Sequence, residues 1–470
     1  MTTPSLIIDG RAQATAATFP VVNPATGEAF AHAPLASRDD LENAVAAARR
    51  AFPAWAATAI DDRAKVIEAI ADAIEADKEA LAALLSLEQG KPRHGGAAGE
   101  INGSIGWARA TAKLRPAVEV VQDDEAMRVE IRRKPLGVVG SITPWNFPVM
   151  IAVWHIIPAL LSGNTVVMKP SSYTPLSALR LIEIMAAHLP AGVINSVTGE
   201  GDIGRAMSEH PGIDKIVFTG STPTGRSIMA SGAANLKRLT LELGGNDAAI
   251  VLADADVDKV APKLFQKAFG NSGQICAAVK RIYVHDSLHD ALAGKMAELA
   301  RAAVVGPGDD PATQYGPVQN RAQFDLVRSL ADDARARGGR FLAGGEPLDR
   351  PGYFFPLSVV VDVTDGDRIV DEEQFGPIVP LIRFTDPEDA LARANANENG
   401  LGGSVWSSDA DAAAELALRL ETGTAWVNDH AVISPDVPFG GAKQSGIGAE
   451  FGLHGLEEYM QLQTVRVNKV

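Results

Sequence analysis

Gly137-Val-Val-Gly-Ser-Ile142, Thr165-Val-Val-Met-Lys169, Val193-Ile-Asn-Ser-Val197, Lys215-Ile-Val-Phe218 and Leu239-Thr-Leu-Glu-Leu243 are short apolar runs separated by longer stretches of helical periodicity. Continuous apolar runs of this length suit strands buried on both faces, and their alternation with helices is the rhythm of βαβ units. A parallel sheet covered by helices on both faces follows. A second series repeats the pattern at Ala248 to Leu252, Arg281 to His285, Ser358 to Val363, Val379 to Phe384, Ser404 to Ser407 and Thr424 to Asn428. The chain therefore reads as two doubly wound α/β domains.

Outward from these runs the pattern changes. Asp39 to Phe52 and Asp61 to Leu87 place apolar residues at i, i+3, i+4 spacing behind acidic starts, which predicts two amphipathic helices with Ser37 and Asp61 as N-caps. Val118 to Gln122 and Arg128 to Arg133 alternate around Asp123-Asp124-Glu125 and predict a hairpin. A lone hairpin is marginal in water, so this one is expected to pack on another domain or subunit. The end, Glu457 to Val470, alternates enough to be a terminal strand. The most apolar run, Phe147 to Leu161, carries His155 and Pro158 and is too short to span a bilayer, so it predicts a buried helix.

Composition narrows the classes of function. A chain of 470 residues, 46% apolar and 21% charged, is long enough for two to four domains with real cores. With 43 basic and 58 acidic side chains the net charge is -15, a surface that repels phosphate backbones and anionic lipid, so neither nucleic acid nor membrane is expected as a partner. The one cysteine, Cys276, can form no intrachain disulfide and anchor no multi-cysteine metal site, which fits a reducing cytoplasm; no metal is expected. Met1 to Gly10 has neither a basic nor a long apolar segment, so no secretory signal is read there.

Several residues could carry chemistry. Gly199, Gly201 and Gly204 form a G-x-G-x-x-G after a strand, equally a dinucleotide turn or a plain strand-to-helix turn, since no acidic ribose partner follows at the expected distance. Gly220 and Gly225, in Phe218-Thr-Gly-Ser-Thr-Pro-Thr-Gly225, sit between a strand and a helix where backbone N–H groups can meet an anion. Cys276 has small and polar neighbours, Gly270-Asn-Ser-Gly-Gln274, unlike an inert core thiol. Glu242 is a carboxylate at the end of an apolar strand, a costly place unless it is paired or functional, and by itself a salt bridge serves as well as catalysis.

Taken together, Pro144-Trp-Asn-Phe-Pro148, Lys169-Pro170, Phe218-Thr-Gly-Ser221, Leu241-Glu-Leu-Gly-Gly245, Gly273-Gln-Ile-Cys276, Glu373-Gln-Phe-Gly-Pro377 and Pro438-Phe-Gly-Gly441 resemble, in order, the motifs of the NAD(P)-dependent aldehyde dehydrogenase superfamily, from about Val22 to the C-terminus. The resemblance implies an aldehyde-to-acid enzyme of the non-acylating type. Cys276 matches its nucleophile, Asn146 with the Cys276 backbone N–H its oxyanion hole, Glu242 its general base and Glu450 a proton-relaying acid. Lys169 matches the ribose contact, Ser221 the pyrophosphate contact, Gly201 and Gly225 the adenine side, and Glu373 and Phe375 the nicotinamide ribose and ring contacts; Ile142, Trp145, Phe218, Gly220 and Leu243 complete the set. It further implies a Rossmann-like cofactor domain at 1–117 and 135–243, a catalytic domain at 244–441, and an oligomerisation element at 118–134 and 455–470, hence a homodimer or homotetramer.

One departure concerns the cofactor. Many NAD-preferring members carry Glu three residues after the lysine, where this chain has Ser172, so a 2'-phosphate meets less repulsion and either NAD or NADP is expected to serve. By motif register Phe147, Ile151, Trp154, Ile275, Ile433 and Phe439 line the substrate funnel, and Gly270 stands where some relatives have an aromatic ring; an aromatic or medium-chain aldehyde is expected. Two other readings use the same residues: a nucleotide-independent cysteine hydrolase or acyltransferase, which wants a histidine base that no motif supplies, and a CoA-acylating dehydrogenase, against which Glu242 argues.

Overall fold

The computed structural model describes residues 4–469. Met1 to Thr3 of the segment read for a secretory signal, and Val470 of the expected tail, lie outside the described residues. The first apolar series forms a sheet in the order Arg238–Glu242, Lys215–Thr219, Val138–Ile142, Thr165–Lys169, Ile194–Ser196, all parallel, with Gly446–Ile447 antiparallel at one edge. The strand order reverses beside Val138–Ile142, because the first three strands wind outward on one side and the next two on the other. The second series forms a sheet in the order Arg340–Ala343, Ser358–Val361, Ile378–Phe384, Arg281–His285, Ala248–Val251, Gly402–Trp406, Thr424–Val427, parallel except for the first. Both antiparallel edges are short and fall outside the runs that the apolar pattern marks.

Helix Pro148–Leu161 is buried along most of its length in the core that covers the first sheet, as its unbroken apolar composition requires. No helix among the described residues is long and apolar enough to cross a membrane. Arg38–Ala57 begins at Ser37, whose hydroxyl accepts from the Asp40 N–H while the Asp40 carboxylate accepts from the Ser37 N–H. The expected long helix from Asp61 is instead two, Ile60–Ala76 and Lys78–Gln89, with Asp77 between them. The Asp77 carboxylate accepts two bonds from Arg180, and that ion pair holds the break on the helix Pro175–Ala186. The N-cap of the first of these is Ala59, with Asp61 in the first turn, where its charge meets the positive end of the helix dipole.

Two hairpins before residue 37, Leu6–Ile8 with Arg11–Gln13 and Ala17–Asn23 with Glu28–Leu35, carry mixed residues that the periodicity does not mark. The expected hairpin is Glu119–Asp123 with Met127–Pro135, and the tail Met460–Asn468 adds a third strand in register along Met127–Pro135. This small sheet leaves Val121 63% and Leu462 68% exposed.

Candidate active site

The site grows out of the strand-order reversal in the first sheet. Val138–Ile142 runs into Pro144, Trp145 and Asn146, and Lys215–Thr219 into Gly220 and Ser221, so both turns open at the carboxyl ends of neighbouring strands, where ligands bind in such sheets. Arg238–Glu242 passes through Leu243 and Gly244 straight into the second sheet, which presents its opposite, amino-terminal ends: Cys276 precedes Arg281–His285, and Glu373 and Phe375 precede Ile378–Phe384. Between the two edges lies a cavity of about 210 Å³ lined by Trp145, Asn146, Gly220, Ser221, Leu243, Cys276, Glu373 and Phe375. Gln323 and Leu326, on helix Arg321–Ala336, line it too. They belong to an amphipathic helix far from any motif, and nothing in their spacing marks them.

The loop carrying the thiol is held in an uncommon conformation. Asn271 and Ser272 have φ of 49° and 57°, and at Gly273, φ 74°, a Cβ would stand 2.0 Å from the Gly376 carbonyl oxygen. Such backbone persists only where its surroundings over-determine it. Here the Ser272 hydroxyl donates to the Gly316 carbonyl at 2.8 Å, and the Gln319 N–H donates to Gln274 Oε1 at 2.8 Å. Asn146 Nδ2 donates to the Gln274 carbonyl at 3.0 Å, and Asn271 Nδ2 returns a bond to the Asn146 carbonyl at 3.2 Å. The thiol loop and the Asn146 turn are thus tied to each other.

Burial dominates the electrostatics. Cys276 keeps some exposure through the cavity, yet desolvation pushes its thiol up to about 12, with Lys280 opposing and the carboxylates Glu242, Asp247 and Glu373 adding to the rise. Glu242 is buried with neither carboxyl oxygen hydrogen-bonded, and desolvation, joined by repulsion from Glu450, holds it well above the usual carboxylate range. Glu450 is also buried, and its Oε1 stands 3.3 Å from His155 Nε2. That ring sits within 3.1 Å of the Ser141 hydroxyl and 3.0 Å of the Thr219 hydroxyl. Burial raises Glu373 to about 7, against Lys280 and the Gly245 N–H, which donates to it at 3.2 Å.

The residues present fit a dinucleotide. Lys169 is buried, and its ammonium has one hydrogen bond, to the Pro170 carbonyl at 3.2 Å, so two donors remain for a ligand. Desolvation lowers it to about 8, with Asp202 and Glu200 pulling the other way. Its stem passes Gly204, while a Cβ at Gly201 would meet nothing within 4 Å. Gly225 lets its helix close on Leu243, whose Cδ2 would stand 2.5 Å from a Cβ there. Ile142 and Phe218 are packed in the core below the cavity. Ser172 lies in a separate cavity of about 280 Å³ that Glu200 and Arg321 also line.

The substrate set divides. Trp154, Ile433 and Phe439 pack in one apolar cluster with Cys276. Trp107, Trp426 and Phe451, which sequence reasoning passes over, belong to the same cluster, and the Phe451 ring is 4.8 Å from Trp154 and 5.5 Å from Trp107. Phe147 and Gly270 face a larger cavity of about 510 Å³, Ile275 stands next to Gly270, and Ile151 is buried within its helix.

The aldehyde dehydrogenase family profile matches residues 11–465. Retinal dehydrogenase 2 of Homo sapiens is 39% identical over 457 residues, which cover 96% of this chain and 88% of that protein. Aldehyde dehydrogenase 1A1 of Homo sapiens is 38% identical over 96% of this chain and 91% of its own length. Among solved structures, betaine aldehyde dehydrogenase from Staphylococcus aureus in complex with NAD+ superposes with a TM-score of 0.96 at 35% identity, covering 99% of this chain and 95% of that one. A variant of the aldehyde dehydrogenase from Bacillus cereus does so with a TM-score of 0.97 at 36% identity, over 100% of this chain and 97% of its own. Matched in sequence over nearly its whole length and in fold throughout, the chain belongs to the aldehyde dehydrogenase family of oxidoreductases.

Proposed function

We propose that this enzyme oxidises an apolar aldehyde, aromatic or medium-chain, to its carboxylic acid with NAD or NADP. The observation that carries the reading is one cavity shared by Cys276, Asn146, Glu373 and Phe375 at the strand-order reversal. The Cys276 sulfur attacks the aldehyde carbon as the thiol proton passes to ionised Glu242 and on through Glu450 to solvent, giving a thiohemiacetal whose oxygen is received by Asn146 Nδ2 and the Cys276 N–H. Each such donor is worth about 3 kcal/mol. When bound, the nicotinamide supplies the hydride acceptor that turns the thiohemiacetal into a thioester. Glu242, in its ionised form, takes a proton from water as the water oxygen adds to the thioester carbon. The C–S bond breaks, the acid leaves, and the Cys276 thiolate regains a proton; Glu450 relays the proton from Glu242. The raised Glu242 suits a base that must work near neutral pH.

Glu242, a buried carboxylate whose charge acts on the Cys276 thiol, supports release to water over release to CoA. No histidine lines the Cys276 cavity among the described residues, which weighs against a cysteine hydrolase. The aromatic cluster around Cys276 supports an apolar substrate. At the cofactor, Arg321 and Glu200 line the Ser172 cavity with opposite charges, which supports use of both dinucleotides. We assign residues 1–117 and 135–243 to cofactor binding and 244–441 to catalysis, and place the enzyme in the cytoplasm. The three-stranded sheet, whose two edge strands leave Val121 and Leu462 exposed, is where a homodimer or dimer of dimers forms.

Cys276→Ala is expected to abolish oxidation while leaving NAD binding intact, and Glu242→Gln to give a burst of reduced cofactor at 340 nm followed by slow turnover; wild-type turnover in the first, or no burst with unchanged turnover in the second, removes these roles. Because burial pushes the Cys276 thiol up to about 12, it is protonated at pH 7, and kcat/KM should climb as pH rises from 6 to 9. A profile flat above pH 6 contradicts that. Ser172→Glu should shift the NAD to NADP ratio of kcat/KM toward NAD by about tenfold or more, and an unmoved ratio contradicts the reading of this segment. Removing 455–470 should yield monomeric or insoluble protein in light scattering; a full-length chain that is a monomer at micromolar concentration contradicts the assembly.

A further inference from the structure

Beneath the Asn146 turn lies an ion pair that no motif marks. Lys91 and Glu100 are each 2% exposed, and Lys91 Nζ stands 2.6 Å from Glu100 Oε2. The same ammonium donates to the Asn146 carbonyl at 2.9 Å and lies 3.9 Å from the centre of the Phe147 ring. The second carboxylate oxygen, Glu100 Oε1, accepts from the Val149 N–H at 2.9 Å and the Met150 N–H at 3.1 Å. One pair of charges therefore holds residues 146, 147, 149 and 150, the whole turn on which the Asn146 amide is mounted.

Charges taken out of water are costly, and two well-packed apolar residues of similar size often stabilise a core as well or better. Such residues could not hold the Asn146 carbonyl or the free N–H groups that open helix Pro148–Leu161. The other bond to that carbonyl comes from Asn271, on the thiol loop itself, so Lys91 is its tether to the body of the domain. We propose that Lys91, with Glu100, is a positioning residue that fixes Asn146 so that its amide meets the aldehyde oxygen at Cys276. This rests on Asn146 being the oxyanion donor. Lys91 does not line the Cys276 cavity and acts through Asn146.

A double-mutant cycle separates positioning from general stability. Lys91→Met is made in the wild-type and in the Asn146→Ala enzyme, with the rate of the 340 nm burst, the Kd for NAD and the rate of Cys276 alkylation by iodoacetamide measured for each. Lys91→Met should slow the burst by about tenfold or more, leave Kd and alkylation within about twofold, and cost less than about twofold further once Asn146 is alanine. Equal losses in both backgrounds, or no loss in the enzyme that keeps Asn146, overturn the inference while the oxyanion reading stands. An Asn146→Ala enzyme with an unslowed burst overturns both. If Lys91→Met does not fold, Glu100→Gln enters the same cycle with the same expected and opposing results.

Discussion

Desolvation of Cys276 and of Glu242, whose charge acts on that thiol, is the constraint around which the rest of this enzyme is arranged. Keeping a thiol and a carboxyl group from water favours the uncharged form of each, and both are shifted upward here. The same burial strengthens every fixed dipole in the pocket, and under the proposed mechanism the Asn146 amide would act on charge that appears only during reaction. The surroundings show how tightly the balance is kept. Lys280 moderates both Cys276 and Glu373, while Glu450 raises Glu242 and itself rests against His155.

The pocket exists because two sheets meet through opposite edges. The first contributes carboxyl ends, where turns such as Asn146 and Gly220 open naturally toward a ligand. The second contributes amino ends, and there the thiol loop must be bent into shape through left-handed residues at Asn271, Ser272 and Gly273. Five residues, Leu243 to Asp247, carry the chain from one sheet to the other, so Glu242 and the start of the second sheet cannot move independently. Gly446–Ile447 then returns to the first sheet and closes the arrangement from the far end of the chain.

Much of this is legible in the sequence where backbone physics is local. Buried parallel strands announce themselves as apolar runs, and the Ser37 cap and the buried helix Pro148–Leu161 follow from short-range rules. What is not legible depends on partners distant in the chain. The break at Asp77 is held by Arg180, the edge strands Arg340–Ala343 and Gly446–Ile447 are defined by what they pair with, and Trp107 joins the Cys276 cluster from a helix whose own pattern is weak. No motif marks Lys91 or Glu100, which the fold buries against each other. Ser172 illustrates the same limit: its local segment lacks an arginine, whereas Arg321 arrives at its cavity from helix Arg321–Ala336, far along the chain.

A covalent acyl group at Cys276, released with the help of Glu242, is the intermediate that the proposed reaction requires. The most direct measurement is intact-protein and peptide mass spectrometry of Glu242→Gln after a short incubation with aldehyde and NAD. The predicted result is one added acyl mass, lost when Cys276 is replaced by alanine and mapped to the peptide that holds Cys276. An active wild-type enzyme whose Glu242→Gln form carries no adduct, or carries it elsewhere, would contradict the account.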